Sequence, residues 1–501
     1  MNNSSNDTPW HPNLSHQYFN KVTAAEGDAP VPETGPLPRE RTTLPERLRA
    51  SLARTPEAFP CFDFQYPPVA FAERSARSRS YETLWAGRNA HGPRAALYVH
   101  IPFCRARCSF CYFTVAANRG EAEVDEYLDA LDREMAQVAP FVRDRVIESL
   151  YWGGGTPTYL TVAQIERLME SLHKHFDLTE CGEFTVESTP TMLDEAKLST
   201  LRRVGLTRLS MGIQSFDDRI LKRLNRSFER KDIERVVRQA REQGVAAINI
   251  DLMYGLPDQT LENWHTGLDR MFDMEIDGCT VYSLDLHEST QFFRKRDELA
   301  LAPTAVQIQM YREAVDRLQA CGYTMINRNI FARDPETYRH QNRRWENLPL
   351  IGLGASAQSY APGVAYQNYG SIDQYIDALE DETTAVERAV WLDEGEEFYR
   401  EAVCRLRFSS LHLADFAKRH GGPLDARFAA LTTDLIGMGY LQNEDGILRL
   451  TRKGLDYGNL ISMFYFSDQR KQGLATHPAV QKVLQLQALR AAGLTEDMSM
   501  V

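Results

Sequence analysis

The sequence lacks the marks of several protein classes. No apolar run approaches the ~20 residues that a membrane-spanning helix needs. The opening segment, MNNSSNDTPWHPN, has no basic start followed by an apolar stretch, so it does not read as a secretory leader. No membrane partner and a cytoplasmic location are expected. Positive charge is in deficit: 57 Lys and Arg stand against 69 Asp and Glu, for a net charge of -12. That balance argues against broad nucleic-acid binding, which needs a basic surface. The basic stretch FERKDIERVVRQAREQ has interleaved acids and reads as the solvated face of a helix. Of eight cysteines, Cys61, Cys181, Cys279, Cys321 and Cys404 stand singly and read as small buried hydrophobes. No disulfide framework and no internal repeat are legible.

What is present is a chain of 501 residues, too long for one ordinary core. Residues 1–45 include Pro30, Pro32, Pro36 and Pro38 and read as a disordered tail. Residues 46–94 read as an N-terminal arm. From Ala95 short apolar runs alternate with amphipathic ones. The expected strands are 96–101, 146–152, 184–188, 207–212, 247–252 and 279–284. Between them VDEYLDALDREMAQV and IERLMESLHKHF carry apolar residues at helical spacing. This alternation implies an α/β fold with a parallel sheet, a partial (β/α)6 version of the TIM-like eightfold barrel. The core with its extension is expected over 95–390, a winged-helix-like α+β domain over 391–475, and a tail over 476–501. The C-terminal domain is read from three helical stretches and a hairpin turning at Asp445-Gly446.

The unusual residues fall at strand ends, where chemistry belongs in such folds. HIPFCRARCSFC places Cys104, Cys108 and Cys111 just after the first strand. Three thiolates leave one iron of a cubane cluster open, whereas an electron-transfer cluster normally has four. A structural zinc needs a fourth ligand, and none is obvious nearby. YWGGGTPTYL puts Gly153, Gly154 and Gly155 at the end of the second strand, followed by Thr156; glycines there let a ligand approach the backbone. Glu187 ends the third strand, Gln214 follows the fourth, Arg226 lies beyond it, and Asp251 ends the fifth. Acids and amides suit hydroxyls, and arginine suits a carboxylate. Each alone reads as a structural group; their shared position makes a site.

Together these motifs resemble the radical S-adenosylmethionine (SAM) enzymes. YVHIPFC, GGGTP, RLSMGIQSF, LNR and DLMYGLPDQT resemble the branch typified by oxygen-independent coproporphyrinogen III dehydrogenase, over about Tyr98 to Tyr360. The resemblance implies a 4Fe–4S cluster on Cys104, Cys108 and Cys111, with SAM on its open iron. Tyr98, Gly154 and Glu187 match contacts to this first SAM. Phe110, Gly155, Thr156, Gln214, Arg226 and Asp251 match contacts to a second. The implied chemistry is reductive cleavage of SAM to a 5′-deoxyadenosyl radical, acting on a small-molecule substrate. An electron donor such as flavodoxin or ferredoxin is implied as partner.

Three departures stand out. Cys111 is followed by Tyr112-Phe113-Thr114, where the coproporphyrinogen enzymes carry Gly-Cys-Asn. LIGLGASAQS has Gln358 where the related haem chaperones carry a histidine. Asp285, in YSLDLHEST, aligns with a small apolar position of the dehydrogenase's second SAM site. On these grounds the expected reaction is C-methylation or cyclopropanation of an sp² carbon in a natural-product intermediate. The alternatives are oxidative decarboxylation of coproporphyrinogen III, or haem carriage with His100, His287 or His340 as axial ligand. Arg328, Arg333, Arg339, Arg343 and Arg344 are candidates for an anionic substrate, with a solvated loop as the alternative reading.

Overall fold

The computed structural model describes residues 66–67, 72, 74, 80–88 and 92–467, with gaps at 287–288, 382, 409, 423–425, 459–460 and 463–464. The two expected tails and His287 lie outside the described residues. Six parallel strands stand where the sequence placed them: β1 (Arg94–Ile101), β2 (Val146–Gly154), β3 (Glu183–Ser188), β4 (Arg208–Gln214), β5 (Ala247–Tyr254) and β6 (Gly278–Ser283). Each pairs with the next. After α1 (Tyr81–Trp85), the long helices alternate with the strands: α2 (Glu121–Val142), α3 (Val162–His175), α4 (Glu195–Arg203), α5 (Arg230–Glu242), α6 (Leu261–Asp273) and α7 (Thr304–Ala320). In α2 the buried residues Val124, Tyr127, Leu128, Leu131, Met135 and Val138 recur at three and four, which seats that face on the sheet.

The sheet continues past both ends of this set. β7 (Thr324–Met325) and β8 (Ile330–Ala332) add antiparallel strands beside β6. On the other side β9 (Leu350–Leu353) runs parallel to β1, and β10 (Gln358–Ala361), β11 (Val364–Asn368) and β12 (Val386–Trp391) follow in antiparallel order. The result is one twelve-stranded sheet, β12-β11-β10-β9-β1-β2-β3-β4-β5-β6-β8-β7. These added strands are two to six residues long and punctuated by glycine, so hydrophobic periodicity does not announce them.

Within β2 to β6 the two strand faces differ in chemistry. Leu150, Trp152, Phe184, Val186, Leu209, Met211, Ile248, Ile250 and Val281 are buried apolar residues. The alternate positions carry Ser149, Tyr151, Glu183, Thr185, Glu187, Arg208, Ser210, Asn249, Asp251, Thr280 and Tyr282, and these bond to one another. Arg208 donates to Glu183 at 2.8 Å, with both side chains buried. Tyr338 donates to Asn249, and His340 meets Ser149 at 3.1 Å. The inner face is thus a polar network closed on itself, as buried polar groups require.

A second buried acid ties the sheet extension to α2. Glu134, 1% exposed, accepts from Tyr81 Oη, Tyr375 Oη, Asn368 Nδ2 and Gly354 N. Tyr375 lies on α8 (Ile372–Glu380). Tyr127, about two helical turns earlier, donates to the His100 carbonyl at 2.7 Å and accepts from Ala355 N at 2.9 Å. The turn after β9 is therefore bolted behind the end of β1.

The described residues form two compact units, one within Glu73–Glu397 and the other from Phe398 onward with residues preceding Glu73. The second unit holds α10 (Leu413–Arg419), α11 (Ala426–Gly437) and a three-stranded antiparallel sheet. The helix that enters it, α9, spans Glu394–Phe408. Its strands are β13 (Leu411–His412), β14 (Leu441–Glu444) and β15 (Ile447–Leu450), with β15 central. The hairpin turns at Asp445 and Gly446, both at positive φ, as a two-residue turn demands. Phe398, Phe416, Phe428 and Tyr465 pack together as its aromatic core.

Replacing Glu134 by Leu strands four buried donors. We expect a stability loss of about 3 kcal/mol or more, read by denaturant unfolding of the full chain. A loss below about 1 kcal/mol would mean that water replaces the carboxylate there.

Candidate active site

The cysteines sit on a loop closed at its base and held from outside. Phe103–Cys104 pairs with Ala116–Ala117 as a short parallel ladder. Asn118 N donates to the Cys104 carbonyl at 2.8 Å. Ser109 N donates to Leu224 O at 3.1 Å, and Asn225 Nδ2 to Arg107 O at 2.8 Å. Cys104 is buried, while Cys108 and Cys111 are half-buried. Burial pushes the Cys104 thiol up to about 11, although Thr156 Oγ1 at 3.5 Å pulls it down. Burial also raises Cys111. The three sulfurs are close enough for an ionised neighbour to raise these two further.

The glycine run lies against this loop. A Cβ on Gly153 would stand 3.0 Å from the Tyr98 ring, one on Gly154 2.6 Å from the His100 ring, and one on Gly155 2.7 Å from the Phe103 carbonyl. Gly154 also has φ +113. The glycines are therefore demanded by the protein's own packing, not only by approach of a ligand. Gly155 N donates to Ile101 O at 2.9 Å and Thr156 N to Phe103 O at 2.8 Å, which fastens the end of β2 to the loop. His100 Nε2 donates to Thr114 O at 3.2 Å, so Nδ1 accepts from the Tyr98 phenol at 3.0 Å. Burial holds His100 down at about 4.

Beside the glycines stands Glu187. It accepts from Tyr151 Oη at 2.7 Å and from Gly154 N at 3.1 Å. Burial raises it to about 7, and the nearby Asp251 carboxylate adds to the rise. Burial raises Asp251 as well. Around Gly212 three further residues meet: its absent Cβ would lie 3.1 Å from Gln214 Nε2, 3.4 Å from Arg226 Nη2 and 3.9 Å from Asp251 Oδ2. Gln214, at φ +65, donates to Tyr282 Oη at 3.1 Å and accepts from Arg226. The Arg226 guanidinium lies 5.5 Å from the Phe110 ring of the cysteine loop.

The structure thus gathers Tyr98, Gly154 and Glu187 on one side, and Phe110, Gln214, Arg226 and Asp251 on the other. Gly155 and Thr156 lie against the base of the cysteine loop. Asp285 follows β6, and burial raises it to about 7. Gln358 stands apart, opening β10 two strands from β1. The arginine run is dispersed: Arg328 is buried, Arg333 lies over the Tyr323 ring, and Arg339 pairs with Glu336. Tyr151, Tyr282 and Arg208 were not singled out from the sequence. Their signal was polar residues at alternate positions of the expected strands.

The donor set fits an iron–sulfur cluster. No three His, Cys, Asp or Glu side chains among the described residues are arranged to hold a single metal ion. A cubane asks for something else, since each thiolate takes a different iron and the sulfurs stand further apart than around one zinc. Two buried atoms lack a hydrogen-bond partner, the donor Arg226 Nε and the acceptor Asp285 Oδ2, and such atoms suit the carboxylate and ammonium groups of a zwitterionic ligand.

Two outcomes follow. Gly154→Ala is expected to abolish the visible cluster band after anaerobic reconstitution, while Cys279→Ser keeps it. Glu187, normally 4.5, binds its proton more tightly when folded. Its charging therefore destabilises the fold progressively as pH rises from about 4.5 to about 7. Glu187→Gln should gain in Tm relative to wild type across that window and keep a constant advantage above it. A pH-independent difference would refute the assignment.

The site agrees with what the chain resembles. Residues 98–269 match the Radical SAM superfamily and residues 392–457 the HemN C-terminal domain. The heme chaperone HemW of Bacillus subtilis is 30% identical over 366 residues, 72% of this chain and 96% of that protein. The oxygen-independent coproporphyrinogen III oxidase of Escherichia coli is 33% identical over 347 residues, 64% of this chain and 76% of that protein. The solved structure of coproporphyrinogen III oxidase (HemN) from Escherichia coli superposes with a TM-score of 0.69 at 28% identity, covering 81% of this chain and 99% of that one. These matches correct the expected C-methylation or cyclopropanation. That reading rested on side chains lining the substrate side of the site, whereas near full-length likeness joins the chain to oxidases and chaperones. The chain belongs to the radical SAM superfamily, in its HemN-like branch, with a 4Fe–4S cluster and SAM as cofactors.

Proposed function

We propose that the protein is a radical SAM oxidase that oxidatively decarboxylates the propionate side chains of a coproporphyrinogen. The observation that carries this is the superposition on the Escherichia coli oxidase over 99% of that structure. Cys104, Cys108 and Cys111 would hold the cluster. Tyr98, Gly154 and Glu187 would hold one SAM, and Phe110, Gly155, Thr156, Gln214, Arg226 and Asp251 a second, with Asp285 beside it. When bound, these cofactors supply a 5′-deoxyadenosyl radical able to take hydrogen from an unactivated C–H bond.

The chain's own contribution is placement and exclusion. Glu187 is fixed by Tyr151 Oη and Gly154 N, so its second lone pairs are aimed without reorganisation. Arg226 is oriented by Gln214 and Phe110, leaving its Nε–H for a carboxylate. Tyr98 and Tyr151 stack at 6.0 Å beside Gly153. A small acidic electron carrier such as flavodoxin or ferredoxin would supply reducing equivalents in the cytoplasm.

Haem carriage is the second reading, favoured by the match to 96% of the Bacillus subtilis chaperone. Against it, both ring nitrogens of His100 are engaged, and His340 is buried and bonded to Ser149.

Reconstituted anaerobically with SAM and reductant, the protein should form 5′-deoxyadenosine only when coproporphyrinogen III is added. The product should lose CO₂ and gain vinyl groups by mass. Arg226→Met should lower this turnover about 100-fold with the cluster band intact. Stoichiometric haem binding with a shifted Soret band, and no substrate-dependent 5′-deoxyadenosine, would establish the chaperone reading instead.

A further inference from the structure

The cysteine loop bears charge that none of these roles uses. Arg105 and Arg107 stand between Cys104 and Cys108, and both are exposed. Two other segments flank the loop, each held to it by hydrogen bonds. The short helix Asp218–Arg223 ends in Lys222 and Arg223, both exposed. Just beyond it Leu224 O accepts from Ser109 N at 3.1 Å, and Asn225 Nδ2 donates to Arg107 O at 2.8 Å. The helix Gln291–Arg294 ends in Arg294 and runs on into Lys295, both exposed. Its Phe292 N donates to Ser109 O at 3.0 Å, and Ser109 Oγ donates to Gln291 Oε1 at 3.1 Å. One loop residue, Ser109, thus fastens both basic segments beside the cysteines. Leu224 and Phe292 belong to one apolar cluster on which Phe110 also packs, so the three segments are held as one body.

Free positive charge is uncommon in this chain. The net charge is -12, and on the outer helices acids answer the cations: Asp129 faces Arg167, Asp132 faces Lys174 and Glu166 faces Arg203. Around the cysteine loop, Arg105, Arg107, Lys222, Arg294 and Lys295 have no ion-pair partner among the described residues. The acids of these segments do not cancel them. Asp258 meets Arg223 at 3.7 Å, and Asp297 and Glu298 follow Arg296. At the far end of the first helix, Asp217 pairs with Arg219, and Asp218 accepts from Arg230 N. Like charges held close repel one another, and an oppositely charged surface that docks on them relieves the cost. A small carboxylate is gripped by a few convergent groups in a pocket. Exposed cations spread over three segments fit a broad acidic protein surface instead.

We propose that this basic face, marked by Arg105, Lys222 and Lys295, is the docking surface for a small acidic protein that carries one electron. The face includes the loop that bears the cluster cysteines, so a carrier seated on it meets the protein beside the cluster's own ligands. One electron leaves the carrier, which is oxidised, and enters the cluster, which is reduced; docking itself makes and breaks no bond. The inference needs only the radical SAM chemistry and holds whichever substrate is used.

The test is binding and reduction, independent of turnover. Full-length, cluster-reconstituted protein is titrated anaerobically with flavodoxin by calorimetry. Wild-type affinity should fall about tenfold between roughly 50 and 200 mM salt. The variant Arg105→Glu/Lys222→Glu/Lys295→Glu, with one reversal in each segment, should bind about 30-fold more weakly at low salt and be reduced more slowly by flavodoxin hydroquinone. Arg105→Lys/Lys222→Arg/Lys295→Arg should stay within about twofold of wild type. Photoreduced deazaflavin, a small uncharged donor, should reduce all three proteins alike, which separates docking from damage to the cluster. Charge reversal that leaves flavodoxin affinity and reduction unchanged overturns the inference. So does reversal that weakens only the binding of coproporphyrin III, which would assign the charge to an anionic substrate. A wild-type cluster that deazaflavin reduces, but neither flavodoxin nor a bacterial ferredoxin does, overturns the electron-donor reading itself.

Discussion

No side chain fits between the end of β2 and the cysteine loop. Every Cβ that could be added at Gly153, Gly154 or Gly155 meets a ring or a carbonyl of the segment from Tyr98 to Phe103 at 3.0 Å or less. This closeness is what lets Gly155 N and Thr156 N bond the backbone of Ile101 and Phe103, and what brings Thr156 Oγ1 to the Cys104 sulfur. It also frees Gly154 N to face Glu187. The loop that carries the cysteines and the strand end that carries the acid are thus one rigid piece. Sites that must hold reactive groups within fractions of an ångström are built this way.

Below that piece the barrel interior is polar rather than oily. Burying Arg208 and Glu183 costs desolvation, and their 2.8 Å bond, together with the Tyr338 ring over the guanidinium at 4.1 Å, offsets much of it. What the arrangement gains is orientation. Each inward group has a fixed partner, so the acids at the top, Glu187 and Asp251, rest on a network with few alternative arrangements. The same burial raises both acids, which keeps charge low until a ligand supplies a countercharge.

Much of this was legible beforehand. The six parallel strands were readable because each is a short β-rich run bounded by turn residues, and the helices between them repeat at three and four. The cysteine triplet and the glycine run were readable because few other chemistries use that spacing. The strands β7 to β12 were not readable. They are short, interrupted by turns such as Gly354 and Gly363, and exist because the edges of an open parallel sheet must be paired. The reaction expected from Asp285 and Tyr112-Phe113-Thr114 failed for a related reason. Single side chains say what lines a site, but which bond is made depends on how substrate lies across it.

The sequence by itself determined the strand–helix order, the cysteine loop, the positions of Glu187 and Gln214 at strand ends, and the hairpin at Asp445-Gly446. These are local patterns, fixed by spacing and backbone preference. Only the tertiary structure decided that Tyr151 and Tyr282 belong with those residues, that Gln358 stands apart, and that His100 is spent on Tyr98 and Thr114. Those are contacts between residues distant in sequence or on alternating faces. They are set by which strands pair and in what register, and the chain records them nowhere as a local motif.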